Sequence, residues 1–214
     1  MSLQAPVIAS GIGLTTINHF LSHQCQVLDV DINEIDLANI ENNENKLFQF
    51  HRASLMEDGQ FEETKYLLAN AAGVMDTSAS TDTYTDAQRD RVIDINLTAP
   101  TRLIRGSIIS VCSKAAISGD TTSVEYTSLK HGLLGVTKNT ACRLRNGGIR
   151  CNAVLSGVDP FQYLERAKLT NYSAVMSLHT SMQGKSGITR HDIASAILFL
   201  ASDGTKFISV WGVI

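Results

Sequence analysis

The sequence predicts an α/β fold: a doubly wound parallel sheet with helices on both faces, three layers in the order α/β/α. Two observations carry this. Short apolar runs of strand length alternate with amphipathic stretches of helix length along the 214 residues, the pattern of successive βαβ units. Residues able to do chemistry also fall in one kind of place. Gly11, Asp31, Asn70, Asn96 and Ser113 each follow a strand or close the helix beside one, and ligands in parallel sheets bind at the carboxyl ends of strands.

The elements follow in order. Pro6-Val-Ile8 is the stub of a first strand. Ser10-Gly-Ile-Gly13 is a turn, and a helix runs from it to about Ser22. Gln26-Val-Leu-Asp-Val-Asp31 is a strand ending on an acid, Leu47-Phe-Gln-Phe-His51 a second, and Tyr66-Leu-Leu-Ala69 a third that runs into Asn70-Ala-Ala-Gly73. Thr85-Asp-Ala-Gln88 has the form of a capping box opening a helix through Val92, Ile93 and Ile95. Ser107-Ile-Ile-Ser-Val-Cys112 is a strand, and Ser123 to Arg145 the strongest helix. Ile149-Arg-Cys-Asn-Ala-Val-Leu155 is the next strand, and Thr189 caps a last helix, Asp192 to Leu200. Residues 159–186 carry a mix of apolar side chains that suits either a cover over a substrate or ordinary core-facing helices.

Composition narrows the function classes. Apolar residues make up 43%, charged residues 18%, and the net charge is -3, as in ordinary globular domains. Lys and Arg do not cluster, which argues against nucleic acid. No apolar run approaches the roughly 20 residues of a membrane helix, and the N-terminus shows no secretory pattern. Cys25, Cys112, Cys142 and Cys151 lack metal-ligand or redox-pair spacing. They are expected to be buried, reduced thiols in a cytoplasmic protein. No metal is expected.

Three groups of residues suggest chemistry. Tyr126 and Lys130 lie four apart, one turn of helix on one face. An ammonium beside a phenol favours the phenolate and lowers the phenol's pKa from about 10, which suits a proton donor to a carbonyl oxygen. Glycines before a helix let backbone amides approach a pyrophosphate, and Asp31, 20 residues past Gly11, stands where a carboxylate meets ribose hydroxyls. A carboxylate there repels a 2′-phosphate, so NAD(H) is favoured over NADP(H). Ser113, 13 residues before Tyr126, offers a hydroxyl to a substrate oxygen. Asn96 is a polar residue in an apolar stretch that either satisfies a helix-end carbonyl or holds a water in a proton relay.

Together these residues resemble the short-chain dehydrogenase/reductase family, over nearly the whole chain. Ser10-Gly-Ile-Gly13 is similar to the end of its glycine loop, Asp31 to its NAD-selecting acid, and Asn70-Ala-Ala-Gly73 to its Asn-Asn-Ala-Gly turn. Asn96, Ser113, Tyr126 and Lys130 match its catalytic tetrad in order. Ile149-Arg-Cys-Asn-Ala-Val resembles its next strand, and Asp192 to Asp203 its late helix. In character the chain is similar to 3-oxoacyl-[acyl-carrier-protein] reductase-like members, whose substrates vary widely.

The resemblance implies a single Rossmann-type oxidoreductase domain over residues 1–214 that interconverts a carbonyl and a secondary alcohol. Tyr126 would be the acid or base, Lys130 would tune it and hold the nicotinamide ribose, Ser113 would orient the substrate oxygen, and Asn96 would support the relay. NAD, rather than NADP, would lie against Ser10, Gly11, Ile12, Gly13, Asp31, Ser54, Leu55, Asn70, Ala71, Gly73, Tyr126, Lys130, Gly157 and Val158. The expected partners are a small-molecule substrate and copies of the same chain, as a cytoplasmic dimer or tetramer, with no nucleic acid and no membrane.

The chain also departs from the family pattern. Val7-Ile-Ala-Ser10 runs straight into the glycine loop without its first glycine, Ala71 replaces the second Asn of the turn, Ser156 stands where the family has Pro, and Ser54 where it often has Asp. The stretch from Asn96 to Ser107 is short for a helix end plus a crossover of ~10–12 residues, and the C-terminus lacks most of a final strand. Either the chain is a degenerate member with a crippled cofactor site, or its sequence joins segments across residues absent from it. The rival readings of function are a non-catalytic dinucleotide-binding or scaffold protein of the same fold, and an α/β transferase or epimerase using the Tyr/Lys pair differently.

Overall fold

The structure, a computed structural model, describes residues 11–31, 37–41, 47–52, 67–71, 85–98, 107–119, 124–157, 188–209 and 212–213. Helix α1 (Ile12–Ser22) leads to strand β1 (Val27–Asp31), which pairs in parallel with β2 (Phe48–Arg52). Strands β3 (Leu67–Asn70), β4 (Ser107–Ser113), β5 (Cys151–Ser156) and β6 (Gly212–Val213) lie side by side in that order, all parallel. Helices α2 (Asp86–Ile93), α3 (Val124–Leu144) and α4 (Arg190–Ala201) complete the described elements. The strand expected at Pro6–Ile8 lies outside the described residues, as does the cover expected at 159–186.

The three layers are visible in the alternation of β4 and β5. Ile109, Val111 and Val154 join a core with Ile17 and Phe20 of α1 and Ile197 and Leu200 of α4. Their neighbours Cys112, Ala153 and Leu155 face the other way and pack with Leu133 and Leu134 of α3. Successive side chains of a strand point to opposite faces. A strand covered on both faces is therefore apolar at every position rather than every second one. That is why Ser107-Ile-Ile-Ser-Val-Cys112 reads as a nearly continuous apolar run.

Local chemistry sets the element ends. Gly11 takes φ 55° and ψ −122° at the start of α1, a conformation that a side chain disfavours. The turn is that one residue. The helix starts at Ile12 and takes in Gly13, which is buried, where the sequence placed the turn through Gly13. A glycine inside a helix costs about 1 kcal/mol, and here it sits in the first turn at a buried position. Helix α2 passes into a π-turn, Asp94–Thr98, so the helical stretch runs through Val92, Ile93 and Ile95 as the sequence predicts. Helix α3 closes through a 3₁₀ turn onto Gly148, at φ 73°. Thr189 and Asp192 form the expected cap of α4: the Asp192 carboxylate accepts from the Thr189 amide at 2.8 Å and its hydroxyl at 2.7 Å. These bonds hold the Asp192 carboxyl below its ordinary pKa. Among the described residues β6 pairs Gly212 and Val213 with Ala153 and Val154.

One cysteine corrects the expectation. Cys25, Cys112 and Cys151 are buried free thiols, but Cys142 is exposed, because it follows Ala141 on the outward turn of α3. Burial pushes the Cys151 thiol up to about 11.

Arg150 ties the sheet to α4. Its Nη1 donates to the Leu200 carbonyl at 2.7 Å and its Nη2 to that of Ala201 at 3.4 Å. These carbonyls belong to the last turn, where intrahelical donors run out, and a cation there meets the negative end of the helix. Arg150→Met is expected to lower stability by about 1.5–3 kcal/mol, measured by urea unfolding.

Candidate active site

The carboxyl ends of β3, β4 and β5 share one edge of the four-stranded sheet, while β1 pairs with β2 in a two-stranded sheet, and most described candidates lie at or just after these strand ends. Asp31 ends β1 and is 6% exposed. Asn70 ends β3, its backbone in register with Ser110 of β4, and Ala71 follows it. Ser113 ends β4, and Gly157 follows β5. Ser10, Ser54, Leu55, Gly73 and Val158 lie outside the described residues.

Helix α3 brings its first two turns to the end of β4. Lys130 is 4% exposed. Its Nζ lies 5.5 Å from the centre of the Tyr126 ring, within the roughly 6 Å at which an ammonium is drawn to an aromatic face. It donates to the Val111 carbonyl at 3.4 Å, two residues before Ser113. Burial lowers the Lys130 pKa, and the neighbouring Cys112 opposes that. The Ser113 Oγ accepts from the Ala115 amide at 3.2 Å. That bond takes an oxygen lone pair and leaves the hydroxyl proton to donate elsewhere.

Asn96 is fully buried in the π-turn, and its side-chain amide donates to the Val92 carbonyl at 3.0 Å. The turn lies against α3: a Cβ on Gly132 would sit 3.6 Å from Leu97. Asn96 thus belongs to an element packed against α3, whose Leu97 also meets the cluster of Cys112, Leu133 and Leu155.

A second group of candidates lies at the start of α1 and the end of β1. The N-terminus of α1 has no side-chain cap and no acid in its first turn, so the first turn itself leaves the helix's positive end unneutralised. Gly11 keeps side chains away from those amides, and Asp31 closes the adjacent strand. Gly157 is also crowded, since a Cβ there would meet Ile188 at 3.3 Å.

Comparison with known proteins decides the family. The family model described as "Enoyl-(Acyl carrier protein) reductase" matches residues 8–211. "Short chain dehydrogenase adrF" of Penicillium rubens is 38% identical, over 94% of this chain and 89% of that one. The chain is a short-chain dehydrogenase/reductase. "Short chain dehydrogenase ausX" of Penicillium brasilianum is 36% identical, over 94% of this chain and 89% of its own. Among solved structures, "4-hydroxyisoleucine dehydrogenase complexed with NADH" superposes with a TM-score of 0.80 at 24% identity, covering 99% of this chain and 96% of that one. "ElxO with NADP Bound" does so with 0.80 at 20%, covering 100% and 96%. The chain is thus an oxidoreductase of this family with a Rossmann-type fold.

The same comparison bears on the chain's shortness. The adrF match spans 231 positions, whereas 94% of 214 residues is about 201, so about 30 positions of that match have no residue in this chain. Those positions fall within the span of the match to this short-chain dehydrogenase/reductase. Among its described residues no helix is long and apolar enough to cross a membrane, and no group of three or more His, Cys, Asp or Glu could hold a metal ion.

Two side chains at the edge carried no signal in the sequence. Cys112 donates its thiol to the Lys130 carbonyl at 3.4 Å. Ser156, in the place of the family's Pro, donates to the Cys112 carbonyl at 3.1 Å. Both contacts join residues far apart in the chain, which no local pattern records.

The buried lysine has a consequence for stability. At low pH Lys130 is charged in both states, and the folded state alone carries the desolvation cost. Between its lowered folded pKa and its unfolded value near about 10.4, the unfolded chain holds more protons, so stability rises with pH. Lys130→Met is expected to be more stable than the parent at low pH, with an advantage that shrinks through that interval. Urea midpoints of both proteins across pH test this.

Proposed function

We propose that this short-chain dehydrogenase/reductase interconverts a carbonyl and a secondary alcohol, prefers NAD(H), and uses Tyr126, Lys130, Ser113 and Asn96. The observation that carries this is the buried Lys130 ammonium, 5.5 Å from the Tyr126 ring and bonded to β4 two residues before Ser113.

The residues divide the work. When bound, the nicotinamide supplies or accepts the hydride. Tyr126 gives its phenolic proton to the developing alkoxide in reduction and takes it back in oxidation. Lys130 favours the phenolate through its charge. The position of Tyr126 in the first turn of α3 adds the positive end of the helix. Ser113, with its proton uncommitted to Ala115, donates to the same oxygen and fixes the carbonyl for attack. Asn96 sits in a turn buried against α3, where it supports the return of a proton to Tyr126.

The first α1 amides and Gly11, Ile12 and Gly13 would hold the pyrophosphate, with Ser10 beside them. Asp31 would accept from the adenosine ribose hydroxyls and repel a 2′-phosphate. Ser54 and Leu55 would meet the adenine. Asn70, Ala71 and Gly73 would line the middle of the cofactor, and Gly157 and Val158 the nicotinamide end. Several carboxyl ends of strands meeting on one edge support this arrangement. A small-molecule substrate, a homo-oligomer and a cytoplasmic location belong to the same reading and rest on the resemblance.

Two measurements test it. Tyr126→Phe is expected to bind NADH like the parent but to lose about 100- to 10,000-fold in rate on a panel of ketones and secondary alcohols, followed by NADH absorbance. Full activity in that variant would overturn the Tyr126 assignment. Nicotinamide fluorescence should show tighter binding of NADH than NADPH, and Asp31→Ala should narrow the gap; a parent that prefers NADPH would overturn the role of Asp31.

A further inference from the structure

Cys112 is a buried nucleophile that the proposed chemistry does not use. It is 2% exposed and directly precedes Ser113. Its side chain faces α3, on the alternate to Val111, which packs toward α1 and α4. Burial raises the thiol's pKa, against the pull of the Lys130 charge, so the group keeps its proton and remains a donor. That proton goes to the main-chain carbonyl of Lys130, at 3.4 Å.

Three bonds then converge on two consecutive residues of β4. The Lys130 ammonium reaches Val111 O, the Cys112 thiol reaches Lys130 O, and the Ser156 hydroxyl reaches Cys112 O at 3.1 Å. The lysine is held at both ends, main chain and ammonium. The strand that holds it is itself pinned to β5, with Ser113 in register with Ser156.

We propose that Cys112 is a positioning residue: its thiol holds the Tyr126–Lys130 turn of α3 against the end of β4, fixing Tyr126 relative to Ser113 and Lys130 relative to Tyr126. The inference rests on the assignment of Tyr126 and Lys130 above. Tyr126 and Ser113 come from different elements and must address one oxygen, so a shift between helix and strand of less than 1 Å misplaces both donors. A shift of that kind also weakens the hold of the ammonium on the phenolate, because their attraction falls with distance.

Tyrosinate absorbance tests this without a substrate. Titrations of the parent and of Tyr126→Phe, subtracted, isolate Tyr126 from the other four tyrosines of the five in the chain. The same pair is made with Cys112→Val, which keeps the shape and removes the donor, with Cys112→Ala, and with Cys112→Ser, which keeps a donor. The expected result is a Tyr126 acid constant at least about threefold weaker in both Cys112→Val and Cys112→Ala, with Cys112→Ser within twofold of the parent. If Cys112→Val does not fold, the contrast of Ala with Ser decides.

An acid constant unchanged without the donor overturns the role of Cys112 while leaving Tyr126 and Lys130 in place. Equal weakening in Ala and Ser overturns it too, since packing alone would then be responsible. A parent in which Tyr126 titrates like an ordinary tyrosine overturns the Tyr126–Lys130 pairing itself, and the role of Cys112 with it.

Discussion

The arrangement at the sheet edge depends on one buried charge. Lys130 has its ammonium inside the protein, against the Val111 carbonyl and beside the Tyr126 ring, and no carboxylate pairs with it among the described residues. Burying an ammonium is unfavourable unless something answers it. A carbonyl and an aromatic face answer it in part, and the lowered pKa expresses the remainder. The fold tolerates this because α3 is a long helix, Val124–Leu144, whose later turns bury Leu133, Leu134, Thr137 and Ala141. Stability gathered along the helix permits an unfavourable residue near its start, where local cost is commonly concentrated at sites of function.

The apolar pattern explains why this end of the molecule is so well fixed. Strands β4 and β5 are covered on both faces, by α1 and α4 on one and α3 on the other. Their side chains have no freedom to choose a face. Ser113, Ser156 and Gly157 arrive at the edge because the strands end there, and the bonds of Ser113 with Ala115 and of Ser156 with Cys112 add to that placement. Arg150 and Asn152 extend the same logic to the C-terminal segment by bonding the carbonyls of Leu200, Ala201 and Ile208.

Much of this was legible in the sequence, for physical reasons. Periodicity exposes elements, so α3, β4, β5 and the Thr189 cap fall within one to three residues of where the pattern places them. Spacing on a helix exposes Tyr126 and Lys130 as neighbours. What escaped were features with no periodic signature. Gly13 belongs to the helix because Gly11 alone makes the turn. The π-turn at Asp94–Thr98 depends on how α2 meets α3. Cys142 faces outward through a rotation about α3 that no single residue type declares. Cys112 and Ser156 matter through partners 18 and 44 residues away, contacts that only the folded chain creates.

The alternation of β4 also bears on how such a chain can change over time. About 30 positions of the adrF match have no residue here, yet β4 still ends with Cys112 toward α3 and Ser113 at the edge. Strand geometry has parity. Removing two residues from β4 would preserve which face each side chain meets, whereas removing one would exchange the faces of everything beyond it. A single-residue deletion there would turn the thiol away from Lys130 and carry apolar side chains to the wrong layer. The smallest odd-numbered loss inside this one strand is therefore more damaging than a larger even-numbered one.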